Sequence, residues 1–321
     1  MLNDHAILKR SVMHRHFPSN TYKPRSTEIC LILVAIGFLL SGCASVRMNQ
    51  FARFAELGSA YSEAITGITK EAGNVAIDAD SAALIKAREN IPINERGKTI
   101  LAHNKLLGER IELLRDLRRH AQLLRSYFWA LAALAKSNEP SGIGEASEDV
   151  VKSLGKMSDR IKNAKVGALP VSDFVGPVVK ITVAQFQSAA LEKELRVRAP
   201  IIEREIDLQQ AALQAIAGQM RTDLEVLQAR EEALEVVDPF RAAKDSLPSD
   251  WNKRRRELLN AHISLDSVDA VVALARNLKL SFLALVENRL DPADFGILFK
   301  DINEILTLIE DIQGTKPKKT K

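Results

Sequence analysis

Asp116 and His120 stand four residues apart in a stretch with helical periodicity, which puts both on one helix face and offers two ligands to a metal ion. Neither His-Glu-x-x-His nor a paired Glu-x-x-His accompanies them, so the expected use is a surface ion pair. An enzyme built on helix-borne carboxylates would need residues such as Glu109, Glu112 and Asp116 to converge on a polar cleft. The chain has no Gly-rich phosphate loop and no Gly-x-Ser-x-Gly elbow, and the expectation is a protein that is not an enzyme and holds no cofactor or metal. Asp78 and Asp80, two apart, face different directions and make a poor carboxylate pair. Beyond residue 43 histidine is sparse: His103, His120 and His262.

Two further clusters carry binding chemistry. Lys253-Arg254-Arg255-Arg256 follows Trp251, which sets Trp251, Arg254 and Arg255 as candidate contacts to anionic headgroups or a partner; interleaving with Glu257 makes a solvated face the expected state. Tyr127-Phe128-Trp129 spreads three rings over about 200° of a helical wheel, so at least one ring leaves the core stripe. Phe128 fits the core. Tyr127 and Trp129 are candidates for a ligand groove or partner contact, with packing against a neighbouring helix the plainer use.

Residues 29–40 form the longest apolar stretch, which at about 1.5 Å per residue falls short of the roughly 30 Å of a bilayer core. Lys9, Arg10, Arg15, Lys23 and Arg25 precede it against only Asp4 and Glu28, the pattern of a signal peptide's n- and h-regions. Met13 offers an alternative start that leaves a leader of more ordinary length, and Cys30 lies within the leader. Leu40-Ser41-Gly42-Cys43 directly after the apolar stretch resembles the lipobox of bacterial lipoproteins. The resemblance implies a diacylglyceryl thioether on Cys43, cleavage between Gly42 and Cys43, and acylation such as palmitate at the new amino terminus, anchoring that one chain alone does not give. Ala44, rather than Asp, follows the cysteine. By that resemblance the protein is anchored to the outer membrane and faces the periplasm, with membrane lipid as its first partner.

Elements that would position these residues are helical almost throughout. Phe51, Phe54, Gly58, Tyr61, Ile65, Ile68, Ala72, Val75, Ala79 and Ala82 alternate steps of three and four, a seam with coiled-coil character on a helix over 48–87. A loop over 89–97 leads to a second long helix, 98–136, with Arg115, Arg118, Arg119 and Arg125 opposite its apolar face. Residues 137–144 read as a linker, and Val150, Leu154, Met157 and Ile161 mark a short amphipathic helix. After a break over 167–177, a helix is expected over 178–229, with Pro200 kinking it or starting a new one. Asp238-Pro239 marks a bend, Ser249 or Asp250 would cap a helix carrying Trp251, and helices are expected over 267–289 and 292–313, the last with Asp291 as N-cap and Gly314 after its end. The fold class expected is all-α, an elongated bundle of long antiparallel amphipathic helices, with 1–42 as lipoprotein signal peptide, 43–314 as helical domain and 315–321 as a basic disordered tail.

The charge follows this division. The whole chain is +4, but the leader contributes +3 and the four tail lysines +4, so residues 43–314 carry −3. That removes the charge-based case for nucleic acid. Two cysteines exclude a disulfide scaffold, and 46% hydrophobic residues exclude wholesale disorder. The functional expectation is an interaction or scaffolding module of the cell envelope, with a protein partner or self-association; the alternative is a carrier for a lipid or other apolar molecule.

Overall fold

The computed structural model describes residues 26–136, 141–166, 169–170, 181–186, 188–242, 247–261 and 270–314, with side chains of the first helix described from Asn49 onward. The leader up to residue 25 and the tail from Thr315 lie outside the described residues, as does the side chain of Cys43. The chain divides into two units, Met1–Ser45 and Val46–Lys321, and the second holds the core.

The fold is all-α. Its helices are α1 (Ser26–Ala87), α2 (Ile93–Lys136), α3 (Ser141–Asn163), α4 (Ala189–Glu232), α5 (Asp238–Arg241), α6 (Trp251–Ala261), α7 (Ala270–Val286) and α8 (Pro292–Gly314). A short 3-10 turn, Arg88–Asn90, closes the α1/α2 hairpin. Among the described residues the only strands are β1 (Lys165–Val166) and β2 (Leu169–Pro170), a minimal antiparallel pair.

Every member of the seam on α1 is buried, while Asn49, Glu56, Glu63, Lys70 and Ile77, seven apart, stay exposed. Ala55, Leu57, Ser62, Ala64, Thr69, Glu71 and Ala76 between them are buried too, so over 51–76 the helix is covered on most of its circumference and not along the seam alone. α2 runs back along α1: Trp129 Nε1 donates to Ser59 Oγ at 2.9 Å, and His103 Nδ1 meets Asp80 Oδ1 at 2.6 Å. α8 lies along α1 in the same direction, with Gln50 bonding Leu290 O at 3.1 Å, the Arg53 guanidinium 5.0 Å over the Phe295 ring, and Ile309 beside Gly67. Phe54, Phe128 and Phe282, from α1, α2 and α7, join their rings at centroid separations of 4.8, 6.1 and 6.0 Å and tie these helices at the centre.

Several boundaries differ from the sequence expectation. Residues 141–144 are not linker but the first turn of α3, where unpaired N–H groups tolerate Ser and Gly. The helix expected from 178 begins only at Ala189, and 181–186 are non-helical; Ile181, Thr182 and Val183 are β-branched and stiff in a helix. Ser188 caps the start, accepting from Leu191 N–H at 3.3 Å, and the Glu192 carboxylate accepts from Phe186 N–H at 3.1 Å. Pro200 starts no new helix: α4 runs through it, because buried Ala199, Ile202 and Glu203 on either side hold the helix against its neighbours.

Asp238-Pro239 gives a π-turn, Ala233–Val237, rather than a chain bend. The wider turn, with Asp238 N–H bonded to Ala233 O, accommodates a proline that has no N–H and whose ring would press on the preceding turn. α7 stops at Val286, short of the expected 289, while its expected start at 267 lies outside the described residues. Its end is a left-handed cap at Asn288, φ 56°, with Arg289 N–H bonded to Ala284 O at 2.7 Å and Asn288 N–H to Leu285 O at 3.1 Å. α8 keeps its expected start: Asp291 Oδ1 accepts from Ala293 N–H at 2.8 Å, and Asp294 Oδ2 accepts from Asp291 N–H at 2.9 Å.

Candidate functional site

The richest convergence of titratable side chains lies where α2, α3 and α4 meet, and it corrects the expected pairing of Asp116 with His120. Both are buried, and each is claimed by a different helix. His120 Nε2 meets Glu205 Oε2 on α4 at 3.0 Å, and Asp116 Oδ2 takes Arg160 of α3 at 2.8 Å. The helical phase was right, but the face is an interior one, since α3 and α4 both pack on it. Ser158 of α3 also donates to Glu205 Oε2, its hydroxyl lying 2.9 Å from Leu154 O. Burial pushes the Glu205 carboxyl up, but the bonds and charge from His120, with the Ser158 hydroxyl, outweigh it and hold the group below its ordinary value.

Serine, histidine and a carboxylate within one cluster invite comparison with a nucleophilic triad. The order is wrong for one: Ser158 and His120 both meet the same carboxylate oxygen, so the imidazole does not take the serine proton. His120 is 0% exposed and Ser158 1%, which leaves no approach for a substrate. The His120 Nδ1 finds no partner among the described residues. What the cluster does is join three helices at one level.

Similar pins join the other helix pairs. Glu203 and Asp207, four apart on α4 and turned away from Glu205, hold Lys279 of α7 at 3.2 and 2.8 Å. Burial lowers the affinity of the Lys279 amine for its proton, but hydrogen bonds and charge from Asp207 and Glu203 raise its pKa overall. Arg110 of α2 meets Asp223 of α4 at 2.5 Å, and Asn277 of α7 donates to Asp301 of α8 at 2.5 Å. Arg198 of α4 joins Glu194 on its own helix with Ser147 and Glu148 of α3, the latter two at 3.1 and 3.4 Å. Glu205, Ser158, Glu203, Asp207 and Lys279 escaped the sequence reading. Acidic residues at 203, 205 and 207 that interleave with buried Ile202, Ile206 and Leu208 were the available signal.

The candidate contact residues separate. Tyr127 is fully buried beside Phe128, where burial raises its hydroxyl pKa well above the ordinary value and the nearby Glu194 charge adds to this. Trp129 is the ring pushed out, 45% exposed. Trp251 stacks on Phe240 at 5.8 Å, donates Nε1 to Val236 O at 3.0 Å, and lies under the Arg255 guanidinium at 5.7 Å. Arg254 reaches Glu235, Asp250 and Glu257 at 3.4, 3.5 and 3.7 Å. Trp251, Arg254 and Arg255 thus share one place at the end of α4. Tyr127 neighbours Glu194, about 60 Å back along that helix, so the two groups form no common site. Glu109 and Glu112 are exposed, Glu112 paired with Arg115 at 3.2 Å, and they do not converge with buried Asp116.

A third region, unread in the sequence, is the end of the α1/α2 hairpin. None of residues 83–112 is buried, although Ala82 before them and Leu113 after them are. The exposed side chains there include Ile85, Ile93, Ile100, Leu101 and Leu106, with Ile93 at 82%. Among the described residues no group of His, Cys, Asp or Glu is arranged to hold a metal ion, and no helix is long and apolar enough to cross a membrane. Compared with known proteins, the chain matches no family model, no curated protein and no solved structure.

Proposed function

We propose that the chain is a lipoprotein anchored to the outer membrane through Cys43 and facing the periplasm, where its helical domain serves as an interaction or scaffolding module. The observation that carries the anchoring is sequential: Leu40-Ser41-Gly42-Cys43 stands directly after an apolar stretch led by five basic residues. The observation that supports interaction is the hairpin end, thirty residues in succession with none buried and with five large aliphatic side chains in water. The polar convergence at Glu205 favours a structural use over chemistry, because its members spend their hydrogen bonds on neighbouring helices.

Replacing Cys43 with Ala is the test of the anchor. Palmitate labelling in cells disappears and unprocessed precursor accumulates; labelling that persists in the variant removes the anchoring. For the interaction reading, in vivo crosslinking recovers an envelope component, or light scattering shows self-association. A monomer that crosslinks to nothing ends it.

A further inference from the structure

The hairpin end combines exposed aliphatic side chains with a charge opposite to that of the rest of the domain. Residues 83–112 hold Lys86, Arg88, Arg96, Lys98, Lys105 and Arg110 against Glu89, Glu95, Glu109 and Glu112, a net +2, within a region 43–314 whose net is −3; the four acidic residues are matched and the basic excess lies towards the turn. The remainder therefore carries −5, and Lys86, Arg88, Arg96, Lys98 and Lys105 lie among the exposed Ile85, Ile93, Ile100, Leu101 and Leu106. From this geometry we infer that the end of the α1/α2 hairpin docks end-on onto an anionic lipid surface, its turn entering the boundary between headgroups and acyl chains while its basic side chains meet the phosphates.

Three features favour a lipid surface over a protein groove or a second copy. First, the exposed aliphatic side chains nearest the turn, Ile85 and Ile93, stand on two different helices, α1 and α2, whereas a groove-binding helix presents one stripe of its own. A fluid surface accepts side chains on every side of an inserted end. Second, the turn meets many of its own backbone needs: Ile91 N–H bonds Arg88 O at 3.3 Å, Pro92 has no N–H, Pro92 O accepts from Glu95 and Arg96 at 2.9 and 3.2 Å, and Arg96 Nε bonds Ile91 O at 3.1 Å. That reduces the cost of moving the turn out of water. Third, apposing two such ends would set +2 against +2, which disfavours tip-to-tip contact between copies.

The depth follows from the helix rise. An insertion of about 5–10 Å takes in Ile91 and Ile93 at the turn and Ile85 some six residues back on α1. Lys86, Arg88, Arg96 and Lys98 fall at the same level, with stems long enough to keep their charges among the phosphates. The inference rests on the interaction reading and not on acylation of Cys43.

The test uses the full chain with Cys30→Ser and Cys43→Ser, held in phosphatidylcholine nanodiscs so that the apolar stretch 29–40 is already in lipid. A spin label is placed by Ile93→Cys, and in a second sample by Gln122→Cys on the exposed face of α2. Each sample is mixed with separate vesicles of phosphatidylcholine alone or of phosphatidylcholine with phosphatidylglycerol. The expected result is flotation of the nanodiscs with anionic vesicles only. The label at 93 gains access to oxygen and loses access to an aqueous relaxant, and the label at 122 stays in water. The triple change Lys86→Glu, Lys98→Glu and Lys105→Glu lowers the floated fraction at least about tenfold. A label at 93 that stays aqueous beside anionic vesicles overturns the proposal, as does capture that ignores charge reversal. Spin–spin broadening between copies without vesicles would assign the surface to a second copy instead. Because Cys43 is absent from these samples, a failed acylation leaves the result unmoved.

Discussion

His120, Glu205 and Ser158 show what one buried carboxylate does when three helices depend on it. Glu205 is 5% exposed and accepts from both partners, so replacing it with Leu leaves a buried imidazole without its acceptor, while the Ser158 hydroxyl keeps only Leu154 O. Leaving such a buried group unsatisfied costs about 1–3 kcal/mol, read as a lower denaturation midpoint with unchanged m-value. Glu205→Gln keeps the shape and removes the charge, which isolates the pH dependence. Because the Glu205 pKa is below its unfolded value in the fold, its contribution is present above about pH 4.5 and is lost as pH falls through the lowered pKa. Wild-type stability therefore declines more steeply below about pH 4.5 than that of Glu205→Gln, as denaturation at a series of pH values would show. An equal slope in the two proteins removes the assignment of charge to this site.

At the scale of the element, close approach at a glycine and the ends of helices account for most of what could and could not be read. A Cβ built on Gly58 would lie 2.5 Å from the Phe128 ring, and that ring is held between Phe54 and Phe282, so it has nowhere to move. Gly58→Ala is expected to destabilise by about 1–3 kcal/mol through overpacking, although alanine is the better helix former; Gly108→Ala, with nothing near its Cβ, gains up to about 1 kcal/mol. Thermal unfolding of the two variants separates these signs. The α1 seam was legible because its period is uninterrupted, whereas the burial of Ser62, Thr69 and Glu71 beside it was not, since neighbouring helices cover most of α1. The start of α8 was legible because Asp291, Pro292 and Asp294 are all cap residues. The start of α4 and its passage through Pro200 were not, since local preference and tertiary packing pull in opposite directions there and packing prevails. The face of Asp116 and His120 was fixed by the helical period, but whether water or another helix covers that face depends on residues more than 35 positions away.

At the scale of the whole molecule, polar pins join the helices level by level, and among the described residues they run a little past the apolar core, to Arg110 against Asp223 and His103 against Asp80. Ion pairs or hydrogen bonds join α2 to α3 and α4, α4 to α7, and α7 to α8, each at one or two levels. An apolar stripe of Leu, Ile and Ala lets one helix slide past its neighbour by a turn at modest cost. A slip at any of these interfaces would bury a charge without its partner, so the pins favour one register. Beyond Ala82 on α1 and before Leu113 on α2 the buried side chains stop, and the hairpin is held mainly by its own backbone bonds, by His103 against Asp80 and, at its base, by Arg110 against Asp223. Local opening there should cost far less than global unfolding. Backbone amides over 93–110 should then exchange with solvent well ahead of those over 113–134, within one continuous helix. The combined change Ile93→Ser, Leu101→Ser and Leu106→Ser should leave the denaturation midpoint nearly unmoved, whereas Leu117→Ala, fully buried on the same helix, costs about 2–5 kcal/mol. Hydrogen exchange and denaturation of the two variants decide the matter together. Uniform protection along α2, or a large loss from the serine triple, would mean that the hairpin end belongs to the folding core, and its aliphatic side chains would then be needed for stability and not for docking.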